Sequence, residues 1–267
     1  MVGSMSVAAT QAPRVGHMLR DWRQRRRLSQ MDLSNEAAVS ARHLSFVETG
    51  RSKPSRELVL HLAEHLEVPL RERNAMLLAA GYAPNYRQTP LEGEVMAPVR
   101  GALEKILGGH EPFPAVVVDR RWDLVSANRP AMAILTDGVA PQLLDTPNAM
   151  RVTLHPDGLA PRIGNFEEWS AHLMERLHRQ FAASGDPDLA ALIDELRGYP
   201  GVSEGAGAAA VDPAAGLFVP LVLHAGGREL RFFSTLATFG TALDITIAEL
   251  SIESFFPADE ATTAALR

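Results

Sequence analysis

Between Ser40 and Lys53 the chain gathers Arg42, His43, Phe46, Arg51 and Lys53 in one short stretch. Those types suit one chemistry. A guanidinium can give two parallel hydrogen bonds to a guanine edge, discriminating against a wrong base by ~1–3 kcal/mol, and Arg42 is placed to do so. Phe46, one turn later, can press on a thymine methyl. Ser40, Ala41, His43 and Ser45 share the same polar, outward start. Taken singly, Ser40, His43 and Ser45 are as readily solvated surface groups as base contacts. Arg51, Ser52 and Lys53 suit phosphate contacts, which fix position without reading sequence.

Such residues work only if a short helix presents them end-on to a groove. Val15, Leu19 and Trp22 recur at helical spacing, with Arg20, Arg23, Arg25, Arg26 and Arg27 on the expected solvent face. Ser29 is a good N-cap for a second helix that buries Leu33 and Ala37. Ser40 caps a third with Leu44 and Val47 inward, which Thr49-Gly50 stops. A fourth helix carries Leu58, Leu62, Ala63 and Leu66. A fifth opens at Pro69, carries Leu70, Leu77 and Leu78, and ends at Gly81. A helix, a tight turn and a capped second helix make a helix-turn-helix unit, whose second helix enters the major groove N-terminus first.

Charge agrees with that division. From Arg14 to Arg87 there are 13 Lys/Arg against 8 Asp/Glu, a net of +5, whereas the rest of the chain nets -11. A basic block on an acidic remainder suggests a polyanion binder joined to a module that does not touch DNA. The chain has no cysteine, which excludes disulfides and cysteine-ligated zinc and suits a reducing cytoplasm. No apolar run approaches the ~20 residues of a membrane helix, so neither a membrane partner nor a secretory leader is expected. Met1–Met5 reads as an appended remnant ahead of a natural start, and residues 1–13 as a disordered arm. The helix-turn-helix domain is then 14–86, a linker 87–98, and a second domain 99–267.

In the second domain Val99 to Leu107 reads as helix. Pro114–Asp119 and Trp122–Ala127 read as a hairpin around Arg120-Arg121. Short helices follow over Ala131–Leu135, Asn148–Leu154, Phe166–Ala183 and Pro187–Arg197. Three strands close the chain: Leu217–His224, Arg228–Phe239 and Asp244–Ser254. The last switches parity between Ile245, Ile247 and Leu250, Ile252, and a bulge near Ala248-Glu249 would reconcile them. Glu204 to Gly216 reads as a mobile loop. Two strands, several helices and three antiparallel strands describe an α+β domain with its helices over one face.

The string Leu28-Ser29-Gln30-x-x-Leu33 through Val39-Ser40-x-x-x-Leu44-Ser45-x-x-Glu48-x-Gly50-x-x-x-Pro54-Ser55 resembles the phage-repressor and Xre family. The resemblance implies an all-α, five-helix fold. It also puts Gln30 where backbone and some bases are touched, Arg42 and Phe46 at base-facing positions, and Glu48 at a structural one. Ala38 stands where the family usually has glycine, and a left-handed alanine costs about 1 kcal/mol more than glycine. The second domain resembles the PAS-like ligand domain of MmyB-like regulators. The carrying strings are Trp122-Asp123-Leu124-Val125-Ser126-Ala127-Asn128, Asn148-x-x-Arg151-x-x-x-His155-Pro156, and the tail from Leu230-Arg231-Phe232-Phe233 to Phe255-Phe256-Pro257-Ala258-Asp259. This implies a five-stranded antiparallel sheet, a homodimer and a bound fatty acid or similar amphiphile as effector.

A sheet with helices over one face leaves a cleft for an apolar ligand. Its candidate wall is Trp122, Met132, Leu135, Leu154, Leu173, Leu177, Phe233 and Phe239, each equally readable as plain core. A carboxylate ligand wants a cation at the mouth, and Arg151, His155 and Arg231 are the candidates. Otherwise Arg151 and His155 cap the local helix or pair with Asp244 or Glu253. His155 with Asp244 or Glu249 would make a base and its orienter, yet no nucleophile elbow, phosphate loop or metal spacing accompanies them. The expectation is therefore no enzyme, no cofactor and no metal: a regulator that binds operator DNA and senses a fatty-acid-like molecule. The alternative is a regulator whose second domain is only a dimerisation scaffold.

Overall fold

The structure, a computed structural model, describes residues 15–203 and 219–267. The expected N-terminal arm and the Gly/Ala-rich loop lie outside the described residues. The chain divides into two compact units that meet between Arg87 and Gln88.

The first unit is five helices: α1 Val15–Arg25, α2 Gln30–Glu36, α3 Ala41–Glu48, α4 Arg56–His65 and α5 Leu70–Ala79. Capping sets where they begin. The hydroxyls of Ser29, Ser40 and Ser55 accept from the backbone N–H of Asp32, His43 and Leu58, and Asp32 reciprocates at Ser29 in a capping box. Leu19, Leu33, Leu44, Leu62, Leu66, Met76 and Leu77 fill one core. Ala38, between α2 and α3, has φ +52, the left-handed turn expected of it. Gly16 lets α1 rest on the end of α3: a Cβ there would stand 2.2 Å from the Val47 carbonyl oxygen. Two expectations need correction. Leu78 is exposed, because α5 turns it away from the side that buries Met76 and Leu77. Arg23 is buried, and its partner is described below.

The second unit holds a five-stranded antiparallel sheet in the order β2-β1-β5-β4-β3. Its strands are β1 Ala115–Val118, β2 Leu124–Ala127, β3 Leu221–Ala225, β4 Arg228–Thr238 and β5 Ser251–Pro257. Its helices are α6 Ala97–Gly109, α7 Arg129–Thr136, α8 Ala149–Leu154, α9 Phe166–Ser184, α10 Pro187–Arg197, α11 Ile245–Ala248 and α12 Glu260–Leu266. This is the α+β, PAS-like arrangement.

The continuous apolar run of β1 is explained by burial on both faces. Val116 and Val118 join the core under α7 to α10, while Ala115 and Val117 join Leu103 and Leu107 of α6 on the other side. The helices therefore lie on both faces of the sheet, where the sequence reading expected them over one. The expected linker also packs on this unit. Thr89 Oγ1 donates to Asp244 at 2.6 Å, Arg100 donates to the carbonyls of Leu91 and Gly93, and Met96 is buried.

The expected final strand from Asp244 is instead helix α11 followed by β5. Asp244 caps the helix by accepting from Thr246, so a helical turn, not a bulge, switches the parity between Ile245 and Ile252. Helix α12, which the sequence reading did not include, is capped by Asp259 and packs on β4. Among the described residues, no helix is long and apolar enough to cross a membrane.

Candidate nucleic-acid interface and ligand cavity

In the first unit α3 presents its N-terminal turn outward. Ser40, Arg42 and His43 are exposed, Ala41 and Phe46 half-buried. Arg42 lies over the Phe46 ring at 5.4 Å and Arg51 over the same ring at 6.0 Å. One phenyl ring thus steadies two guanidiniums by cation–π attraction, roughly 0.5–1 kcal/mol each at exposed sites. The loop after α3 is fastened to it, because the N–H groups of Arg51 and Ser52 both donate to the Phe46 carbonyl. Lys53 stands 5.2 Å from the Tyr82 ring centre, and the Tyr82 hydroxyl donates to the Pro54 carbonyl. Among the described residues, no carboxylate pairs with Arg42, Arg51 or Lys53. Their positive charge is uncompensated on one side of the unit.

Two other arginines of this unit, Arg23 and Arg26, have structural work. Arg23 Nε and Nη2 donate to the two Glu48 carboxylate oxygens at 2.7 and 2.9 Å, and Gln30 Nε2 donates to Glu48 at 2.8 Å. Glu48 raises the Arg23 pKa further above its ordinary value by that hydrogen bond. Glu48 is structural, as the resemblance implied, and Gln30 spends its amide nitrogen on it. Arg26 donates to the carbonyls of Leu66 and Glu67, closing the C-terminus of α4.

In the second unit a cavity of about 150 Å³ opens between the sheet and α7, α8 and α9. That is the scale of an apolar cavity able to take up benzene. Trp122, Met132, Leu135 and Leu173 line it, as expected of them, together with Ile134, Val152, Trp169, Phe232, Glu253 and Phe255.

Trp122 carries φ +68, a strained backbone for a bulky residue. It is held there from three sides. Its N–H donates to Asp119, its carbonyl accepts from Ala149, and its indole Nε1 donates to Gln180 at 2.8 Å. Arg176 lies 5.0 Å over its ring, and both terminal nitrogens of Arg176 donate to Glu253 Oε1 at 2.9 Å. The Ser234 hydroxyl donates to the same oxygen. Burial pushes the Glu253 carboxyl above its usual range, against the pull of Arg176 and Ser234. Trp169 stacks on His172. Burial, then the charges of Arg176 and Arg179, hold that imidazole below its ordinary pKa.

The remaining candidates sit elsewhere. Leu154 and Leu177 are fully buried core behind the wall. Phe233 lies on the opposite face of β4, stacked on Phe256, and Phe232 takes the inward position. Phe239 packs on the α6 side.

None of the three expected cations lines the cavity. Arg151 is bidentate with Glu195 at 2.8 Å, where a Tyr199 hydroxyl also donates. His155 meets the Tyr199 ring edge-on, and Arg231 pairs with Glu229. Each already has a partner within reach on its own surface. Asp244 accepts from Thr89 and Thr246, and Glu249 lies 3.7 Å from Arg120; the carboxylate beside His155 is that of Asp157, at 3.9 Å. Among the described residues, no group of three or more metal-ligating side chains comes together.

Among the wall residues that sequence reading passed over, Glu253 and Trp169 are two that carry polar groups. Period-two alternation places Glu253 with Phe255 on the inward side of β5, which was the available signal for the first. Trp169 was on the apolar side of its helix, where core and cavity wall look alike.

Residues 99–267 match the family model described as MmyB-like transcription regulator ligand binding domain, and residues 14–76 match one described as a helix-turn-helix domain. No curated protein matches the chain.

Proposed function

The chain belongs to the MmyB-like transcription regulators, and on that premise we propose that it is a homodimer that reads a pseudo-palindromic operator through α3 and answers to a fatty-acid-like effector in the cavity of its second unit. Arg42 and Phe46 read base edges, while Arg51, Ser52 and Lys53 hold phosphates. The observation that carries the reading is the uncompensated cationic face around the capped start of α3. An apolar cavity in the family's ligand-binding domain favours an effector over a filled dimerisation scaffold. The effector acts by binding two arrangements of the dimer with different affinity. The chain works in the cytoplasm and catalyses nothing.

Substitution separates reading from holding. On a fragment of the chain's own upstream region, Arg42→Ala should reduce discrimination against unrelated DNA. Lys53→Ala should weaken all sequences alike and lower the salt slope by about one. Equal losses on specific and random DNA for Arg42→Ala would remove Arg42 from the reading set.

A further inference from the structure

Cations in this molecule are held in two ways. Arg23, Arg151 and Arg176 meet carboxylates, which fix the guanidinium and cancel its charge. Arg42 and Arg51 lie over the Phe46 ring instead, and Lys53 over the Tyr82 ring. Arg56, the first residue of α4, follows this second pattern. Its Nη2 donates to the Asn85 side-chain oxygen, and among the described residues no carboxylate pairs with it. The acid beside it, Glu57, is engaged at the helix start, where its own backbone N–H and then the Ser55 hydroxyl hold its carboxyl below the usual range. A neutral holder fixes a cation and leaves its charge whole, which suits an anion arriving from outside.

Two of these holders come from one segment. After α5 the chain turns at Gly81, whose φ is +83, and lies against the loop between α3 and α4. The Tyr82 N–H donates to the Leu77 carbonyl, and its hydroxyl to that of Pro54 at 3.0 Å. Asn74 of α5 fastens the rest. Its side-chain oxygen accepts from the N–H groups of Asn85 and Tyr86 at 2.8 and 3.0 Å, and its amide donates to the Tyr86 carbonyl at 2.8 Å. Tyr82 against Lys53 and Asn85 against Arg56 thus form two rungs between this segment and the start of α4. Lys53 and Asn85 are exposed.

Resting on the DNA reading above, we infer that the segment Tyr82–Tyr86 belongs to the DNA interface: Arg56 is a phosphate ligand beside Lys53, and Tyr82 and Asn85 are positioning residues that hold the two cations ready for the backbone of the duplex.

Salt titrations of the full chain on a fragment of its own upstream region and on random duplex test this. Arg56→Gln should lower the slope by about one on both DNAs, with discrimination between them kept. Asn85→Ala should weaken both about twofold to tenfold, the ordering cost of one freed side chain. Asn85→Asp keeps the acceptor but cancels the charge of Arg56, so its slope should fall as that of Arg56→Gln does. A segment that served folding alone would leave the Asn85→Asp slope where it was. Asn85 is exposed, and circular dichroism checks that each variant is folded. A wild-type slope in Arg56→Gln or in Asn85→Asp, while Lys53→Ala shows its own loss, overturns the inference and leaves α3 as the reader. If the unsubstituted chain binds neither DNA at low ionic strength, the DNA reading fails and the inference falls with it.

Discussion

Glu48 has 1% side-chain exposure and accepts from Arg23 and Gln30, so a single carboxylate joins α1, α2 and α3. The pair is bidentate, the geometry in which a buried arginine and carboxylate best offset their desolvation. Removing one partner leaves the other charged and buried, which typically costs about 3–5 kcal/mol. Glu48→Ala should therefore lower the stability of the helical unit by that order, read from its urea midpoint. A loss under about 1 kcal/mol would show that water replaces the carboxylate and that the three helices hold one another by apolar packing alone. The family resemblance implied a structural Glu48, yet helical spacing put Arg23 among solvent arginines. A run of five arginines in eight residues gives no sign of which one turns inward; that is decided by where Glu48 arrives from α3, 25 residues away.

At the scale of elements, local chemistry was legible and tertiary choice was not. Serine caps and apolar spacing marked the five helices of the first unit, because each signal acts within one turn. The turn at Ala38 was also legible, and its φ of +52 makes a test. Glycine removes the steric cost of a left-handed alanine but loses more chain entropy on folding. The net for Ala38→Gly should be a gain of about 0.5–1 kcal/mol, seen as a higher urea midpoint at unchanged slope; a lower midpoint would contradict it. Ambiguity began where neighbours decide the outcome. Phe232 and Phe233 are equally apolar, and only the pairing of β4 with β5 sends Phe232 inward. The parity switch after Asp244 fitted a bulge as well as a helical turn, and the Asp244 cap selects the turn. Arg151, His155 and Arg231 were chosen as cations, but their acids, Glu195, Asp157 and Glu229, were nearer than any cavity.

At the scale of the whole molecule, the two units divide charge as they divide labour. The net of +5 through Arg87 sits on the unit that presents α3, and the -11 of the remainder sits with the cavity. Positive charge on one unit supplies the salt-dependent attraction to duplex, while an acidic second unit is disfavoured from lying along phosphates. In the proposed dimer the ligand-binding unit acts on DNA through the placement of two α3 helices, so spacing of half-sites is where its state is read. The most direct measurement is a footprint of the full chain on its own upstream region at low ionic strength. Two protected stretches should appear, about one helical turn apart centre to centre, with Arg42→Ala erasing the contrast to flanking DNA. Uniform protection, or none from a sample whose circular dichroism shows it folded, would contradict the claim that α3 reads a sequence.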